Sequence, residues 1–239
     1  MSSPVASIVV PHYNTPRELN LCLACIAHYT SEDVEILVVD NGSTQESLEQ
    51  IVLPENARLL SRQQEAMDMT PHKVALDLGI AHARSEFIIA MHSDAFVIDP
   101  GWLQFLLNLV EPPYVMAGPN SHKLHPISLL SSIKWSLRKR KEANRGMIRP
   151  LFCIYRREIF EDKSVADFED VGGISVDLLK SNRARVIERG VAARYVFHLG
   201  GVTRLANLQH REKAKRVKQR QFRRLLKSCA VRAVSWPSG

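Results

Sequence analysis

The chain has 239 residues, 45% of them hydrophobic and 24% charged, a composition typical of folded domains that excludes disordered, collagenous and fibrous classes. Its apolar runs are far shorter than the ~20 residues of a membrane-spanning helix, so we expect no spanning helix. Its N-terminus lacks the basic and apolar segments of a secretory signal, so we expect a cytoplasmic protein. Its net charge of +7 is uneven, because residues 201–239 carry eleven Lys or Arg and one acid, a net +10, which leaves −3 for residues 1–200.

Residues 5–118 alternate short β-rich runs with helical patterns, which predicts an α/β fold with a Rossmann-like, mostly parallel sheet flanked by helices. Near-continuous Val and Ile suit strands that are buried on both faces. The predicted strands are 5–10, 34–39, 57–60, 86–91 and 114–118. Capping residues followed by Pro, or by Glu three positions later, predict helix starts at Thr15-Pro16, Ser43, Thr70-Pro71 and Asp99-Pro100.

Residues 119–150 contain paired basic residues and scattered serines, which predicts a mobile loop with a short helix around 129–137. Regular structure is predicted to resume near residue 150. A helix is then expected at about 175–188, followed by a strand over 191–197 that ends at His198.

The four cysteines are too few for a disulfide scaffold in a chain of this size. Cys22 and Cys25 form a C-x-x-C, but no second pair lies at zinc spacing. We therefore expect two buried, reduced thiols on a helix rather than a metal site.

The C-terminal segment predicts an amphipathic basic helix. Between residues 204 and 232 an apolar stripe recurs at helical intervals, with Lys and Arg on the other faces. This pattern predicts binding to an anionic membrane surface. The alternatives are a helix docked on the rest of the protein, and a nucleic-acid arm, which is disfavoured because base-stacking aromatic residues are nearly absent.

Polar clusters follow four of the predicted strands. In a parallel α/β sheet the ligand site lies outside the carboxyl ends of the strands. Turn chemistry alone accounts for any one cluster, but four together predict a site. The clusters are Pro11, His12, Tyr13 and Asn14; Asp40, Asn41 and Ser43; His92, Ser93 and Asp94; and His198.

Neither glycine-rich phosphate-binding motif is present in the sequence. A nucleotide at this edge therefore needs another partner for its phosphates. A divalent cation held by a carboxylate and an imidazole would neutralise a diphosphate, and Asp94 and His198 fit that role.

Three segments, SIVVPHYNTPRELNLCLACI, VEILVVDNGST and HKVALDLGIAHARSEFIIAMHSDAFV, resemble in order and spacing the donor-binding half of family 2 glycosyltransferases, which have the GT-A fold. The resemblance is specific over residues 6–110 and weaker to about residue 203, where RREIF, VGG and FHLGGVT resemble the acceptor half. It implies a nucleotide-sugar-binding half at 1–118 and an acceptor and catalytic half at 119–203. The charge pattern adds a basic amphipathic tail at 204–239.

The resemblance also implies roles for individual residues. The family's donor loops place the nucleobase and ribose against Pro11, Tyr13, Asn14 and Asp40, with Asp77 in the wall of the site. The family's D-x-D segment places Asp94 at its last position and His92 where the first acid is expected. His92 can donate to ribose or phosphate, and His198 occupies the place of a metal ligand in the family's H-x-G-G segment. For both histidines the alternative is a structural imidazole.

The catalytic base is expected in the acceptor half, where a carboxylate takes the proton of the acceptor hydroxyl. In the family it heads the helix about a dozen residues before a glycine, which implies Asp177 when counted from Gly190. The familiar Glu-Asp pair is absent there, and Asp170 is the alternative. An acid that merely complements a helix N-terminus is also possible at Asp177.

We therefore expect an inverting glycosyltransferase that uses Mn²⁺ or Mg²⁺ and a nucleoside-diphosphate sugar. The acceptor is expected to be a glycan or a lipid-linked molecule at the inner membrane face. The alternative is a non-catalytic GT-A scaffold with a degenerate D-x-D segment and a basic tail that binds a partner. A nucleotidyltransferase is disfavoured, because no phosphate loop rich in Gly and Arg follows the first strand.

Overall fold

The computed structural model of the chain describes residues 3–62, 71–120, 124, 148–161, 177–200, 212–227 and 234. The strands in these ranges are β1 (Ala6–His12), β2 (Val34–Asn41), β3 (Ala57–Arg62), β4 (Phe87–Met91), β5 (Ala95–Val97), β6 (Met116–Pro119), β7 (Phe152–Arg156), β8 (Ala184–Ile187) and β9 (Val196–His198). The helices are α1 (Pro16–Tyr29), α2 (Gln45–Glu49), α3 (Pro71–His82), α4 (Trp102–Leu109), α5 (Glu158–Glu161), α6 (Arg189–Tyr195) and α7 (Glu212–Leu226).

Seven strands form one mostly parallel sheet, in the order β3-β2-β1-β4-β7-β6-β8. β1 pairs in parallel with both β2 and β4, and only β7 runs antiparallel to its two neighbours. β5 and β9 form a separate antiparallel ribbon in which Ala95 pairs with His198. The predicted α/β fold is therefore confirmed, and the carboxyl ends of β1, β2 and β4 lie together at one edge.

Each face of the sheet buries its own hydrophobic cluster, because successive residues of a strand point to opposite faces. Ile8 and Val10 of β1 pack in the cluster that includes α1 and α4, whereas Val9 packs in the cluster that includes α3. Helix α3 lies close to β1, since a Cβ atom at Gly79 would come within 2.2 Å of Val9 Cγ1. β1 is fully buried over all seven of its residues, as its Val and Ile predicted.

The predicted helix α1 is confirmed, but its capping box does not form. The Thr15 side chain makes no capping hydrogen bond to the helix. The predicted second cap is displaced by one residue, because Thr44 and not Ser43 accepts the hydrogen bond from the Ser47 amide. In both places a neighbouring loop engages the expected capping hydroxyl instead.

Two predictions for residues 175–198 are wrong. Of the predicted helix at 175–188, the described part is helical only over residues 177–180, and residues 184–187 form strand β8, which pairs in parallel with β6 at the edge of the sheet. The predicted strand over 191–197 is mostly helix α6, and only Val196–His198 is extended. Short apolar runs do not distinguish helix from strand by periodicity, and here pairing with a distant strand decides the outcome.

Part of the C-terminal segment, Glu212–Leu226, is helical and forms α7. Phe222 and Leu225 are buried in the same cluster as α1, with exposed fractions of 3% and 5%. The Phe222 ring contacts the Phe96 ring at 6.2 Å between centroids. The described apolar residues of this stripe thus pack on the protein, as the docked alternative predicted, and their basic neighbours face outward.

Cys22, Cys25 and Cys153 are buried free thiols, as expected for the C-x-x-C pair. Burial raises the pKa of Cys25 and of Cys153 to about 12, so these thiols stay protonated. No helix among the described residues combines the length and the apolar character that crossing a membrane requires. The loop predicted at 119–150 and its helix at 129–137 lie almost wholly outside the described residues, as do Thr70, Asp170 and Cys229.

Candidate functional site

The loops after β1 and β2 are joined through Asn14. Its side-chain oxygen accepts a hydrogen bond from the Thr44 amide at 2.9 Å, and its own amide donates to Ser43 Oγ at 3.0 Å. Asn14 has a positive φ of 51°, a left-handed conformation that asparagine tolerates better than most residues. The two predicted donor loops therefore form one continuous rim at the edge of the sheet.

Asp40 shapes the second loop from within. Its carboxylate accepts hydrogen bonds from the amides of Gly42 at 3.1 Å and Ser43 at 3.2 Å, and the residue is only 2% exposed. Gly42 has a φ of 83°, which suits the tight turn these bonds impose. A carboxylate has about four acceptor positions, so Asp40 can hold its loop and also accept from a ligand.

His12 lies beneath this rim and is 1% exposed. Its Nδ1 lies 3.5 Å from Thr15 Oγ1, and its Nε2 lies 3.4 Å from Ser47 Oγ. Burial lowers the pKa of His12 to about 4, although the nearby Asp40 carboxylate acts in the opposite direction. A neutral, buried imidazole with two hydroxyl neighbours favours support of the loops over direct contact with a ligand.

The remaining residues predicted for this part of the site differ in accessibility. Pro11 is buried, and Tyr13 is half-buried at the turn that follows β1. The side chain of Asn41 accepts a hydrogen bond from Arg62, the last residue of β3. Asp77 is half-buried on α3. Their contacts with a ligand stay predictions.

Three side chains meet just after the end of β4, where the last residue of β9 lies opposite the first residue of β5. His198 Nε2 lies 3.1 Å from Asp94 Oδ1, and His92 Nδ1 lies 3.8 Å from the same oxygen. The two imidazole nitrogens are 3.3 Å apart. These three atoms lie within 4.8 Å of one another, and we call His92, Asp94 and His198 the His-Asp-His cluster.

The cluster fits a divalent cation. Ligand atoms bound to one ion at about 2.1 Å are separated by roughly 3.0 Å in an octahedral and 3.4 Å in a tetrahedral arrangement. Two of the three separations here, 3.1 and 3.3 Å, agree with this, and the third is 3.8 Å. Asp94 and His198 are almost fully buried, with exposed fractions of 6% and 2%, whereas the His92 side chain is 24% exposed. The cluster is therefore open to solvent on the His92 side and closed beneath.

Secondary contacts hold the cluster in place. The Leu199 amide donates to the carbonyl of Asp94 at 3.0 Å, and the His198 amide donates to the carbonyl of Leu124 at 2.7 Å. Ser93, which the sequence assigned to the donor site, is 5% exposed and lies 3.4 Å from Thr15 through their hydroxyls. The strand ends thus connect the cluster to the loop that follows β1.

Two neighbours of the cluster were not predicted from the sequence. The ring of His72, at the start of α3, packs nearly perpendicular to the His92 ring, with 4.7 Å between centroids. Burial raises the pKa of Glu18, and the negative charge of nearby Asp94 adds to the rise, whereas Arg17 opposes it. The sequence identified Glu18 only as part of a cap, because its proximity to Asp94 depends on how α1 packs.

The structure does not join Asp177 to the cluster. Its side chain is 77% exposed and forms an ion pair with Lys180 at 3.2 Å. It lies in a short helical turn, residues 177–180, whose Leu178 packs with α3. The alternative base, Asp170, lies outside the described residues. The identity of the base stays a prediction.

Comparison with known proteins agrees with this geometry. The family model described as Glycosyl transferase family 2 matches residues 7–162. The glycosyltransferase GlyG of Streptococcus pneumoniae is 33% identical over 98 residues, which cover 40% of this chain and 32% of GlyG. The chain spans about a third of the length of the curated relatives it matches. The match covers 30% of the length of a putative glycosyltransferase from Bacillus subtilis and 39% of an uncharacterized glycosyltransferase from Haemophilus influenzae.

Two solved structures share the fold. A mannosyltransferase from Pyrobaculum calidifontis, in complex with GDP-Man and Mn²⁺, superposes with a TM-score of 0.57 at 17% identity, covering 99% of this chain and 67% of that one. Glucosyl-3-phosphoglycerate synthase from Mycobacterium tuberculosis, in complex with Mn²⁺, UDP and glucosyl-3-phosphoglycerate, gives a TM-score of 0.53 at 16% identity, covering 95% and 81%. At such identities the likeness establishes the fold.

Proposed function

Because the chain belongs to glycosyl transferase family 2, we propose that it transfers a sugar from a nucleoside-diphosphate donor to a glycan or lipid-linked acceptor, with inversion at the anomeric carbon. The observation that carries this proposal is the His-Asp-His cluster beside the Asn14–Thr44 rim, at the carboxyl edge of the sheet. A cation site next to a polar rim is suited to a ligand with a diphosphate at one end and a nucleoside at the other.

The donor would lie along this edge. Tyr13, Asn14 and Asp40 would contact the base and ribose, because they border the rim at the ends of β1 and β2. Asp94, His198 and His92 would hold the divalent ion, Mn²⁺ or Mg²⁺. When bound, the ion supplies positive charge that stabilises the diphosphate leaving group. The mannosyltransferase and the synthase with this fold were solved in complex with Mn²⁺ together with GDP-Man or UDP, which supports the assignment.

In the proposed transfer, the acceptor oxygen attacks the anomeric carbon on the face opposite the diphosphate. The bond between that carbon and the phosphate oxygen breaks, and the nucleoside diphosphate departs with the electron pair. The acceptor proton passes to a carboxylate, Asp177 or Asp170, acting as general base in the acceptor half at 119–203. The exposed position of Asp177 is compatible with an acceptor that approaches from solvent.

The acceptor and the location form the last part of the proposal. The side chains of Arg220, Arg223 and Arg224 on α7 are exposed, while Phe222 beside them is buried. Such an outward-facing basic surface is suited to the anionic lipids of a cytoplasmic leaflet. We therefore propose a peripheral enzyme at the inner membrane face, where a lipid-linked or surface-polysaccharide acceptor is available.

Thermal unfolding with a panel of UDP-, GDP-, dTDP- and CMP-sugars, with and without Mn²⁺, tests the function. A matching donor at a hundredfold over its Kd should add about 2.7 kcal/mol of stability. Asp94→Asn should remove the Mn²⁺-dependent part of this gain, while Asp33→Asn, an exposed acid just before β2, should keep it. No stabilisation by any donor would refute the proposal. Binding without transfer or hydrolysis would instead favour a non-catalytic scaffold.

A further inference from the structure

The His-Asp-His cluster contains two nitrogen donors and one oxygen donor, His92 Nδ1, His198 Nε2 and Asp94 Oδ1. In the D-x-D pattern that this segment resembles, position 92 would carry an acid and offer a carboxylate oxygen. We propose that His92 is a metal ligand and that it makes the site selective for a first-row transition ion such as Mn²⁺ or Co²⁺ over Mg²⁺. This inference rests on the proposed function for the location of the metal, and it concerns which metal the chain accepts.

Geometry supports His92 as a ligand. Its Nδ1 lies 3.3 Å from His198 Nε2, so both nitrogens point toward one small region instead of diverging. The His92 ring also packs nearly perpendicular to the His72 ring, which restricts its rotation. A ring held in this way faces the other two donors without needing to rotate. Its 24% exposed side chain also leaves a path by which an ion and a diphosphate can enter.

The other two donors are fixed more firmly. Asp94 and His198 are bridged by the pairing of β5 with β9, in which Ala95 opposes His198. The hydrogen bond from the Leu199 amide to the Asp94 carbonyl closes this connection at 3.0 Å. The strand pairing and this hydrogen bond fix the positions of Asp94 and His198. A substitution at position 92 therefore changes a donor atom of the cluster and leaves the strand pairing unchanged.

Donor chemistry then determines the preference. Mg²⁺ binds oxygen ligands in a near-ideal octahedron and gives up its waters reluctantly. Imidazole is a better ligand for transition ions, whose affinity rises along the series from Mn²⁺ to Cu²⁺. With two imidazoles among three protein ligands, Mg²⁺ loses its preferred donors. Open coordination positions remain for the oxygens of a diphosphate.

The experiment measures Mg²⁺, Mn²⁺ and Co²⁺ binding to the full chain by isothermal titration calorimetry, with and without UDP and GDP. Wild type, His92→Asp and a matched control, His28→Asp, are compared. His28 is exposed at the far end of α1 from the cluster. We expect Mn²⁺ and Co²⁺ to bind wild type at least about tenfold more tightly than Mg²⁺, the size of effect that changes around metal ligands produce. His92→Asp should reduce this ratio about tenfold, and His28→Asp should not.

Electron spin-echo envelope modulation of bound Mn²⁺ gives a second readout that does not depend on affinity. Wild type should show nitrogen modulation from two imidazoles, and His92→Asp from one. Equal affinities for Mg²⁺ and Mn²⁺, absence of nitrogen modulation, or no binding of any ion would overturn the inference. The absence of any ion binding is the result expected if His92, Asp94 and His198 form hydrogen bonds with one another and hold no metal.

The two proposals fail in different ways. Nitrogen-coordinated Mn²⁺ without binding of any sugar nucleotide would remove the proposed function and leave the metal selectivity intact. Sugar transfer supported equally by Mg²⁺ and Mn²⁺, without nitrogen modulation, would do the reverse.

Discussion

The guanidinium carbon of Arg17 lies 4.7 Å from the centroid of the Phe222 ring. The first turn of α1 thereby holds α7 through a cation–π contact, a kind of interaction worth ~0.5 to 2 kcal/mol. Phe222 also packs on Phe96 of β5, the strand that follows Asp94. The C-terminal helix thus covers the body of the protein next to the strand ribbon that supports the His-Asp-His cluster.

The first prediction concerns this docking. Phe222→Ala should lower the free energy of unfolding by about 3 kcal/mol, because it removes a buried aromatic ring. Urea unfolding measures the change. Arg223→Ala alters the exposed neighbour on the same helix and should shift stability by no more than about 0.5 kcal/mol. Equal stability of the two variants would show that α7 does not dock in solution.

The second prediction concerns the basic face of α7. Because Phe222 and Leu225 are buried, we expect membrane binding by the docked helix to depend on its cations. Replacing Arg220, Arg223 and Arg224 with Gln should remove about 1 kcal/mol each, so binding to anionic vesicles should weaken by roughly 100-fold. Binding should also fall steeply with salt.

Liposome sedimentation of the full chain measures this effect. Arg194→Gln, an exposed cation on α6, is the control and should bind like wild type. Sedimentation that is insensitive to salt, or that the triple variant retains in full, would argue against the electrostatic surface.

The third prediction addresses the base. If Asp177 accepts the acceptor proton, Asp177→Asn should lower kcat by ~10² to 10⁴ while the donor Kd is unchanged. Lys180→Gln breaks the same ion pair but retains the carboxylate, so it should keep most of the activity. If Asp177→Asn is active and Asp170→Asn is not, the role belongs to Asp170. Similar losses in Asp177→Asn and Lys180→Gln would indicate that the ion pair matters and not the base.

The fourth prediction is a pH dependence caused by His12. Its pKa is lowered by burial from 6.5 to about 4, so between these values the unfolded chain binds more protons than the folded one. The free energy of unfolding should therefore have its full value above about pH 6.5 and should fall as the pH drops toward 4. His12 should account for up to about 3 kcal/mol of this loss.

Chemical unfolding at several pH values measures that slope. His12→Gln retains a hydrogen-bonding side chain but cannot titrate, so its stability should depend less on pH over this window. Parallel slopes in the variant and wild type would mean that His12 is solvated enough to titrate normally.

The first half of the chain was predictable because its signals are local. The centres of β1 and β2, residues 8–10 and 36–39, are consecutive β-branched and aliphatic residues, and the Thr15-Pro16 pair marks a helix start. Residues 175–198 were predicted wrongly because ARVI and VAARY are too short to show a period. ARVI is a strand because it pairs with β6, and the extended residues that follow VAARY, Val196–His198, pair with β5. Both partner strands lie far away in sequence.

The candidate site was also predictable only in part from the sequence. Strand ends identified Asp94 and His198 as a potential pair, and the structure brings their side chains to 3.1 Å. The sequence showed that His92 departs from a D-x-D pattern, but not that its Nδ1 turns toward His198. Side-chain direction and burial are set by tertiary packing, which is also why the support of His12 by Ser47 was not predicted.

His92 and His198 are separated by 106 residues, and this has a consequence for biosynthesis. A ribosome that adds ~5 to 20 residues per second needs roughly 5 to 20 s to progress from the first histidine to the second. During that interval the nascent chain carries two of the three proposed ligands, while β5 has no β9 with which to pair. All three proposed ligands can therefore hold an ion only after β9 has been synthesised. A translation product that stops before β9 would carry the donor loops but an incomplete metal site.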